Sequence, residues 1–278
     1  MKLRNKNSMS AFGLAALLSA TALGCTAGDN DEGANDSVAT EAGETQDSSD
    51  TGTGDSDGDG DGDGDADEEG VYLMASLVVE DFDSFQADYG AAVFPMIAQA
   101  GGEVMVATPQ IDLLEGEYVQ NWTVVVRFPS EDAANGWYDS AEYQAMIPVR
   151  QGVTDTEQSH LLFAPEFEGV DPAGLGGEFH YLIATLSVTD FEAFQNNYGA
   201  VVFPQLAEAG AEVLVGSPTV DPLEGSYDSN WTVVVQFPSE SAANDWYDSE
   251  EYQSVIPERQ ASTDTDNSVL LFSAGFAG

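Results

Sequence analysis

The chain has 278 residues, with 50 Asp and Glu against 6 Lys and Arg and a formal net charge of −44. Such an acidic surface repels nucleic acid and anionic lipid headgroups, so neither is an expected partner. Only the residues after about 70 are rich enough in large apolar side chains to build a core, and they could form one large domain or two of ordinary size.

Residues 1–24 read as an export signal. Lys2, Arg4 and Lys6 form a basic n-region ahead of a short apolar run from Ala11 to Leu23, too short to span a bilayer as a permanent helix. Ala22-Leu23-Gly24-Cys25 then resembles the lipobox of bacterial lipoproteins, although Ala22 stands where Leu is commonest. Ala20-Thr21-Ala22 would also suit an ordinary signal peptidase, which would leave a free, exported Cys25. The lipobox resemblance implies that Cys25 becomes an acylated first residue and that the protein meets the cell-envelope membrane only through this anchor; secretion or a periplasmic location is the alternative. Cys25 is the single cysteine, so no disulfide can form within the chain and the fold must stand on packing. Loss of the signal leaves Arg127, Arg150 and Arg259 as the only Lys or Arg residues.

Residues 25–70 read as a disordered acidic tether, because Gly, Asp, Ser, Thr, Glu and Ala cannot offset the entropy of ordering. Within it, Asp57, Asp59, Asp61, Gly62 and Glu68 satisfy the spacing of an EF-hand loop. An alternating Asp-Gly run meets that pattern by composition alone. Gly64 replaces the usual apolar residue, and no helix-forming segment precedes the run. The expectation is a self-repelling spacer that attracts cations loosely, with no metal site.

Residues 72–167 align with 181–276 without a gap, and 59 of the 96 pairs are identical. The chain therefore carries a first repeat (71–167), a linker (168–179) and a second repeat (180–278). Each repeat reads strand, helix, strand, strand, helix, strand. In the first, 72–79 alternates as a strand and Asp81 is a candidate N-cap. Phe82, Phe85, Tyr89, Val93 and Ile97 then form one helical stripe, with Met96 at its edge because its counterpart is Gln205. Residues 103–108 make the second strand, a longer loop carries Leu114-Glu115-Gly116, and 121–128 make the third strand. Ser130 caps a helical region in which Asp139 and Glu142 could form a capping box that restarts the helix. Residues 160–164 close the unit.

This order predicts an α+β fold of two ferredoxin-like βαββαβ repeats, each a four-stranded antiparallel sheet with both helices on one face. Leu73, Ala75, Leu77 and Val79 share one face of the first strand, while Tyr72, Met74, Ser76 and Val78 share the other. That second face is too apolar to be left in water, and the simplest cover is the sheet of the other repeat. The expected product is an intramolecular dimeric α+β barrel, a pseudo-dimer within one chain, with an intermolecular dimer as the alternative.

Each repeat also resembles the domain of unknown function 1330 family on particular residues. These are Leu114-Glu115-Gly116, Phe128-Pro129-Ser130, Ala133-Ala134, Trp137-Tyr138, Ser140, Glu142-Tyr143-Gln144 and Arg150, repeated at Leu223-Glu224-Gly225, Phe237-Pro238-Ser239, Ala242-Ala243, Trp246-Tyr247, Ser249, Glu251-Tyr252-Gln253 and Arg259. The resemblance implies the barrel reached above and carries no established reaction. Family members often have a basic residue in the second strand, where this chain has Ala107 and Gly216.

Chemistry is sparse. His160 and His180 are answered by Val269 and Val71, so neither belongs to a repeated constellation, and a partly exposed strand position is the simpler reading of each. The paired octets at 137–144 and 246–253 read as helix-to-sheet packing around a helix break. Arg150 and Arg259 are expected to bridge a nearby carboxylate such as Glu142 or Glu251, with anion binding as the alternative. The barrel-facing residues of the third strand are Thr123, Val125 and Arg127 against Thr232, Val234 and Gln236. Candidate ligand contacts are therefore Arg127, Tyr72, Ser76, Thr123, Tyr181, Thr185 and Thr232, with Arg150 and Arg259. No catalytic residue, cofactor or metal is indicated. The sequence points to an exported, lipid-anchored protein that binds a small molecule or serves in interaction. The rival is a cofactor-independent enzyme, monooxygenase-like or isomerase-like, that uses the barrel cavity, on analogy of fold alone.

Overall fold

The computed structural model describes residues 69–170 and 178–277. The export signal, Cys25, the acidic segment as far as residue 68 and linker residues 171–177 lie outside them. The first repeat runs β1 (Val71–Val79), α1 (Phe82–Ser84), a π-helical turn (Phe85–Gly90), α2 (Ala91–Gln99), β2 (Glu103–Thr108), β3 (Asp112–Glu115), β4 (Trp122–Phe128), α3 (Glu131–Tyr138), α4 (Ala141–Gln151) and β5 (Thr154–Pro165). The second repeats it as β6 (His180–Val188), α5 (Phe191–Ala193), a π-helical turn (Phe194–Gly199), α6 (Ala200–Glu208), β7 (Glu212–Ser217), β8 (Asp221–Glu224), β9 (Trp231–Phe237), α7 (Glu240–Tyr247), α8 (Glu250–Ser262) and β10 (Thr263–Ala274).

The helices begin where their caps stand. Asp81 accepts from the Ser84 amide and Ser130 from the Ala133 amide, as expected. The octet does break one helix and start the next, but its cap is Ser140, which accepts from the Tyr143 amide; the expected Asp139–Glu142 box does not form. Ser140 is the better group because its hydroxyl also donates to the Trp137 carbonyl and so holds both helix ends at once. The π turn explains the apolar stripe. Phe85, Tyr89, Val93 and Ile97 are all buried and spaced by four, a spacing that drifts about 40° per step in a regular α-helix. Widening the turn keeps the first steps on the packed face.

Each sheet has five strands, not four. Their orders are β2-β4-β1-β5-β8 and β3-β10-β6-β9-β7. The Leu-Glu-Gly loop of each repeat is a short strand that crosses to the other repeat: β3 pairs with β10 and β8 with β5. The tails cross as well. The Phe167 amide donates to the Leu214 carbonyl and the Phe276 amide to the Met105 carbonyl, at 2.9 and 2.7 Å, so β5 meets β7, β10 meets β2, and the barrel closes. Phe167 then stacks on Phe203, and Phe276 on Phe94.

The alternation of β1 sorts the core as expected. Leu73, Ala75, Leu77 and Val79 pack under the helices, while Tyr72 and Met74 meet Tyr181 and Ile183 between the two sheets. Asn121 and Asn230 extend the sheets by side chain: Asn121 accepts from the Val79 amide and donates to its carbonyl, and Asn230 does the same at Val188.

Gly116 and Gly225 end the crossing arms at φ +87° and +74°, and an added Cβ would lie 2.1 Å from the Ser268 carbonyl oxygen and 2.0 Å from that of Ser159. Gly116→Ala and Gly225→Ala should therefore each cost more than about 2 kcal/mol. Gly136 is exposed in α3 and an added methyl meets nothing within 4 Å, so Gly136→Ala should stabilise by about 0.5–1 kcal/mol. Urea denaturation of the three variants checks both signs.

Candidate functional site

Three polar constellations survive inside the barrel unit, and their partners decide which could act on a ligand. The first is a pair of clasps. Arg150 is 1 % exposed and donates to Glu224 Oε1 of the crossing arm, which also accepts from the Tyr138 hydroxyl, while Gln151 donates to Oε2. Arg259, Tyr247 and Gln260 hold Glu115 in the same way. The expected bridge to Glu142 or Glu251 is thus corrected. Those carboxylates are exposed on their own helices, and the other repeat supplies the partner. Behind each arginine lie two tyrosines, with the Tyr89 and Tyr143 hydroxyls 3.3 Å apart and those of Tyr198 and Tyr252 3.2 Å apart. Trp137 lies on Tyr143 with ring centres 4.0 Å apart, and Trp246 repeats the contact with Tyr252. Burial opposes the charge of Arg150, but the neighbouring tyrosines and Glu224 keep its pKa above the ordinary arginine value. For Glu224, burial raises the carboxyl while Arg150, Gln151 and Tyr138 hold it down, with a net fall below 4.5. A recess of about 260 Å³ opens beside this clasp, with the ion pair itself in its wall.

The second constellation is asymmetric. Arg127 donates from Nε and Nη2 to the two oxygens of Glu166, and the Tyr72 hydroxyl donates to Oε1. In the second repeat Gln236 and Gly275 replace Arg127 and Glu166, and Tyr181 donates to Gln236 Oε1 instead. The two repeats thus differ at both positions of the charge pair. Burial and Glu166 raise the Tyr72 pKa, so this phenol stays protonated.

The third is a cavity of about 150 Å³ between the two sheets. It sits on the pseudo-twofold axis, because its lining comes in equivalent pairs: Met74 with Ile183, Ser76 with Thr185, Leu162 with Leu271, Tyr118 with Tyr227, and His160 with Val269. Glu117 and Gln120 complete it, and the exposure of Glu117 places solvent at its mouth. Elsewhere the inter-sheet space is filled by residues such as Met105, Val125, Leu214 and Val234.

The candidate contacts are therefore dispersed. Ser76 and Thr185 line the axial cavity. Thr123 and Thr232 stand behind it, hydrogen-bonded to the hydroxyls of Tyr118 and Tyr227 at 2.8 and 2.6 Å. Tyr72, Tyr181 and Arg127 belong to the asymmetric pair, and Arg150 and Arg259 to the clasps. His160 is a partly exposed strand residue, as expected, but His180 is not. His180 is buried against Phe272, whereas His160 reaches the cavity beside Tyr227, their ring centres 5.3 Å apart. Burial lowers the His160 pKa below 6.5, so its imidazole is neutral at neutral pH. Gly216, at the position where the family resemblance implies a basic side chain, lies under the Phe167 ring, which an added Cβ would approach to 3.2 Å. Among the described residues, no group of three or more His, Cys, Asp or Glu could hold a metal ion, and no helix is long and apolar enough to cross a membrane.

The model of a domain of unknown function (DUF1330) matches residues 70–161 and again 180–271. No curated protein matches the chain significantly. Among solved structures, a putative monooxygenase from Lactobacillus acidophilus shares 9% identity over 75% of this chain and 99% of its own, with a TM-score of 0.43. A mutant chlorite dismutase from Candidatus Nitrospira defluvii shares 11% over 75% and 91%, with a TM-score of 0.44. A protein of unknown function from Rhodopseudomonas palustris shares 18% over 38% and 85%, with a TM-score of 0.31. These likenesses concern the fold alone.

The clasp makes two predictions. Arg150→Met leaves Glu224 without its cation and should cost about 3 kcal/mol, whereas the double variant Arg150→Met/Glu224→Leu should recover most of it in urea denaturation. A carboxyl with a depressed folded pKa stabilises the fold above its ordinary value and loses that contribution as pH falls through the lower one. The stability of Glu224→Gln should accordingly vary less than that of the natural chain below pH 4.5, the ordinary value for this group.

Proposed function

Since the chain belongs to the DUF1330 family over both repeats, and the family description names no reaction, we propose from the geometry that it is an exported small-molecule-binding protein whose site is the axial cavity. The observation that carries this reading is the contrast inside the barrel. The arginines elsewhere in the barrel each hold a glutamate, while the cavity is reachable from solvent, largely apolar, and furnished with a few polar side chains, the usual make-up of a ligand site. In this reading the lipobox-like segment ending at Cys25 supplies a lipid anchor and the acidic segment 25–70 spaces the barrel from the membrane.

A second reading, a cofactor-independent enzyme, draws support from one group, the neutral His160 imidazole in the cavity, which is in the protonation state of a general base. Incubation of the protein with a mixed metabolite pool, followed by native mass spectrometry, separates the possibilities. Retention of a small molecule by the natural chain and its loss in Ser76→Phe, which fills the cavity, is the expected result. Equal retention by both would place the ligand elsewhere and remove the reading, and conversion of the retained molecule would favour the enzyme. Intact-mass measurement of the exported product should show acyl chains on Cys25, absent in Cys25→Ser together with its membrane fraction.

A further inference from the structure

The axial cavity has a polar side and an apolar side, and the difference comes from the duplication. A barrel built from two identical chains presents the same residues on both sides of its axis. Here His160 faces its counterpart Val269, Ser76 faces Thr185, and Met74 faces Ile183. The result is a directional site on what would otherwise be a symmetric one.

Charge narrows what it can hold. No Lys or Arg lines the cavity, while Glu117 stands at its mouth and the chain as a whole is strongly acidic. An anion would be stripped of water without a compensating cation. The Tyr118 and Tyr227 hydroxyls are engaged with Thr123 and Thr232, and Gln120 donates to the Gln158 carbonyl. The imidazole of His160, in contrast, makes no hydrogen bond among the described residues. With the Ser76 and Thr185 hydroxyls of the same lining, it has hydrogen-bonding capacity to spare, and it is the one such group that the two repeats do not share. Size sets the remaining limit, since a volume of about 150 Å³ matches an apolar cavity known to accept benzene.

We propose that the cavity binds an uncharged molecule of about single-ring size, with one hydroxyl or carbonyl group hydrogen-bonded to His160 and its apolar body against Ile183, Val269 and Leu271. The proposal rests on the axial cavity being the ligand site. A hydroxyl would donate to the imidazole and a carbonyl would accept from it, so His160 recognises either as its tautomer allows.

Titration of the full chain at pH 7.5 with phenol, benzene and benzoate as probes tests this, repeated in His160→Val and Ser76→Phe. His160→Val installs the residue that the second repeat carries at the equivalent position. Phenol should bind and benzoate should bind at least about a hundredfold more weakly. In His160→Val, phenol should lose about tenfold in affinity while benzene is unchanged. Ser76→Phe should abolish binding of both. Benzoate binding as tightly as phenol, or phenol unaffected by His160→Val, would overturn the assigned ligand class while sensitivity to Ser76→Phe kept the cavity as the site. Binding of any probe unaffected by Ser76→Phe would overturn the cavity itself. No binding of phenol or benzene would overturn the ring-sized ligand and leave the metabolite experiment to judge the cavity.

Discussion

The barrel depends on two carboxylates that each cross to the other repeat. Glu224 is 74 residues from Arg150 in sequence and Glu115 is 144 from Arg259, yet each pair closes in the structure. A guanidinium that is 1 % exposed is tolerable only with a counter-charge and hydrogen bonds, and neither arginine uses a carboxylate of its own helix. The three residues of the arm divide the work. Leu223 packs on the helix-side core of the first repeat and Leu114 on that of the second, the glutamates meet the arginines, and the glycines let the backbone pass over the partner strand. The Trp-Tyr and Glu-Tyr-Gln residues of the octets shape the socket: indole on phenol, a hydroxyl on the carboxylate, and Gln144 tied to the Tyr138 carbonyl. The motifs that the two repeats share therefore describe an interface, and their kinship to chemistry is indirect.

Duplication within one chain allows the two halves to diverge where a homodimer cannot. The clasps remain nearly identical because each half must grip the other. The barrel interior does not. The first repeat holds the Arg127–Glu166 pair where the second has Gln236 and Gly275, and His160 is matched by Val269. These differences fall near the axis and at the barrel ends, the places where a ligand would see both halves together.

Much of the architecture was legible in the sequence because it rests on periodicity. The two-residue alternation of 72–79 separates two cores, and the surplus apolar face demands a second sheet. The caps at Asp81 and Ser130 stand at the positions where side-chain oxygens reach backbone amides. What stayed hidden was partner choice. Four residues around Leu114 and Leu223 are too short to announce a strand, and nothing local tells Arg150 to prefer a carboxylate of the other repeat over Glu142 on its own helix. The repeated Leu-Glu-Gly and Arg were the available signal, two oppositely charged positions kept in both copies without a local explanation. Ser76 and Thr185 of the cavity were legible from the alternation, but the rest of its polar lining escaped for a related reason, since Tyr118 and Tyr227 lie in loops outside any alternating strand and His160 breaks the repeat.

The crossing arms also constrain the order in which the molecule can be made. While only the first repeat has left the ribosome, β3 has no strand to join and Arg150 has no glutamate. The half-built chain therefore exposes the face of Tyr72 and Met74 together with an open sheet edge, the features that invite aggregation. Because β3 pairs with β10 of the second repeat, the final architecture waits for both repeats, and pairings this distant in sequence close slowly. A first repeat made ahead of its partner therefore stays an open half-barrel until the second repeat has been synthesised.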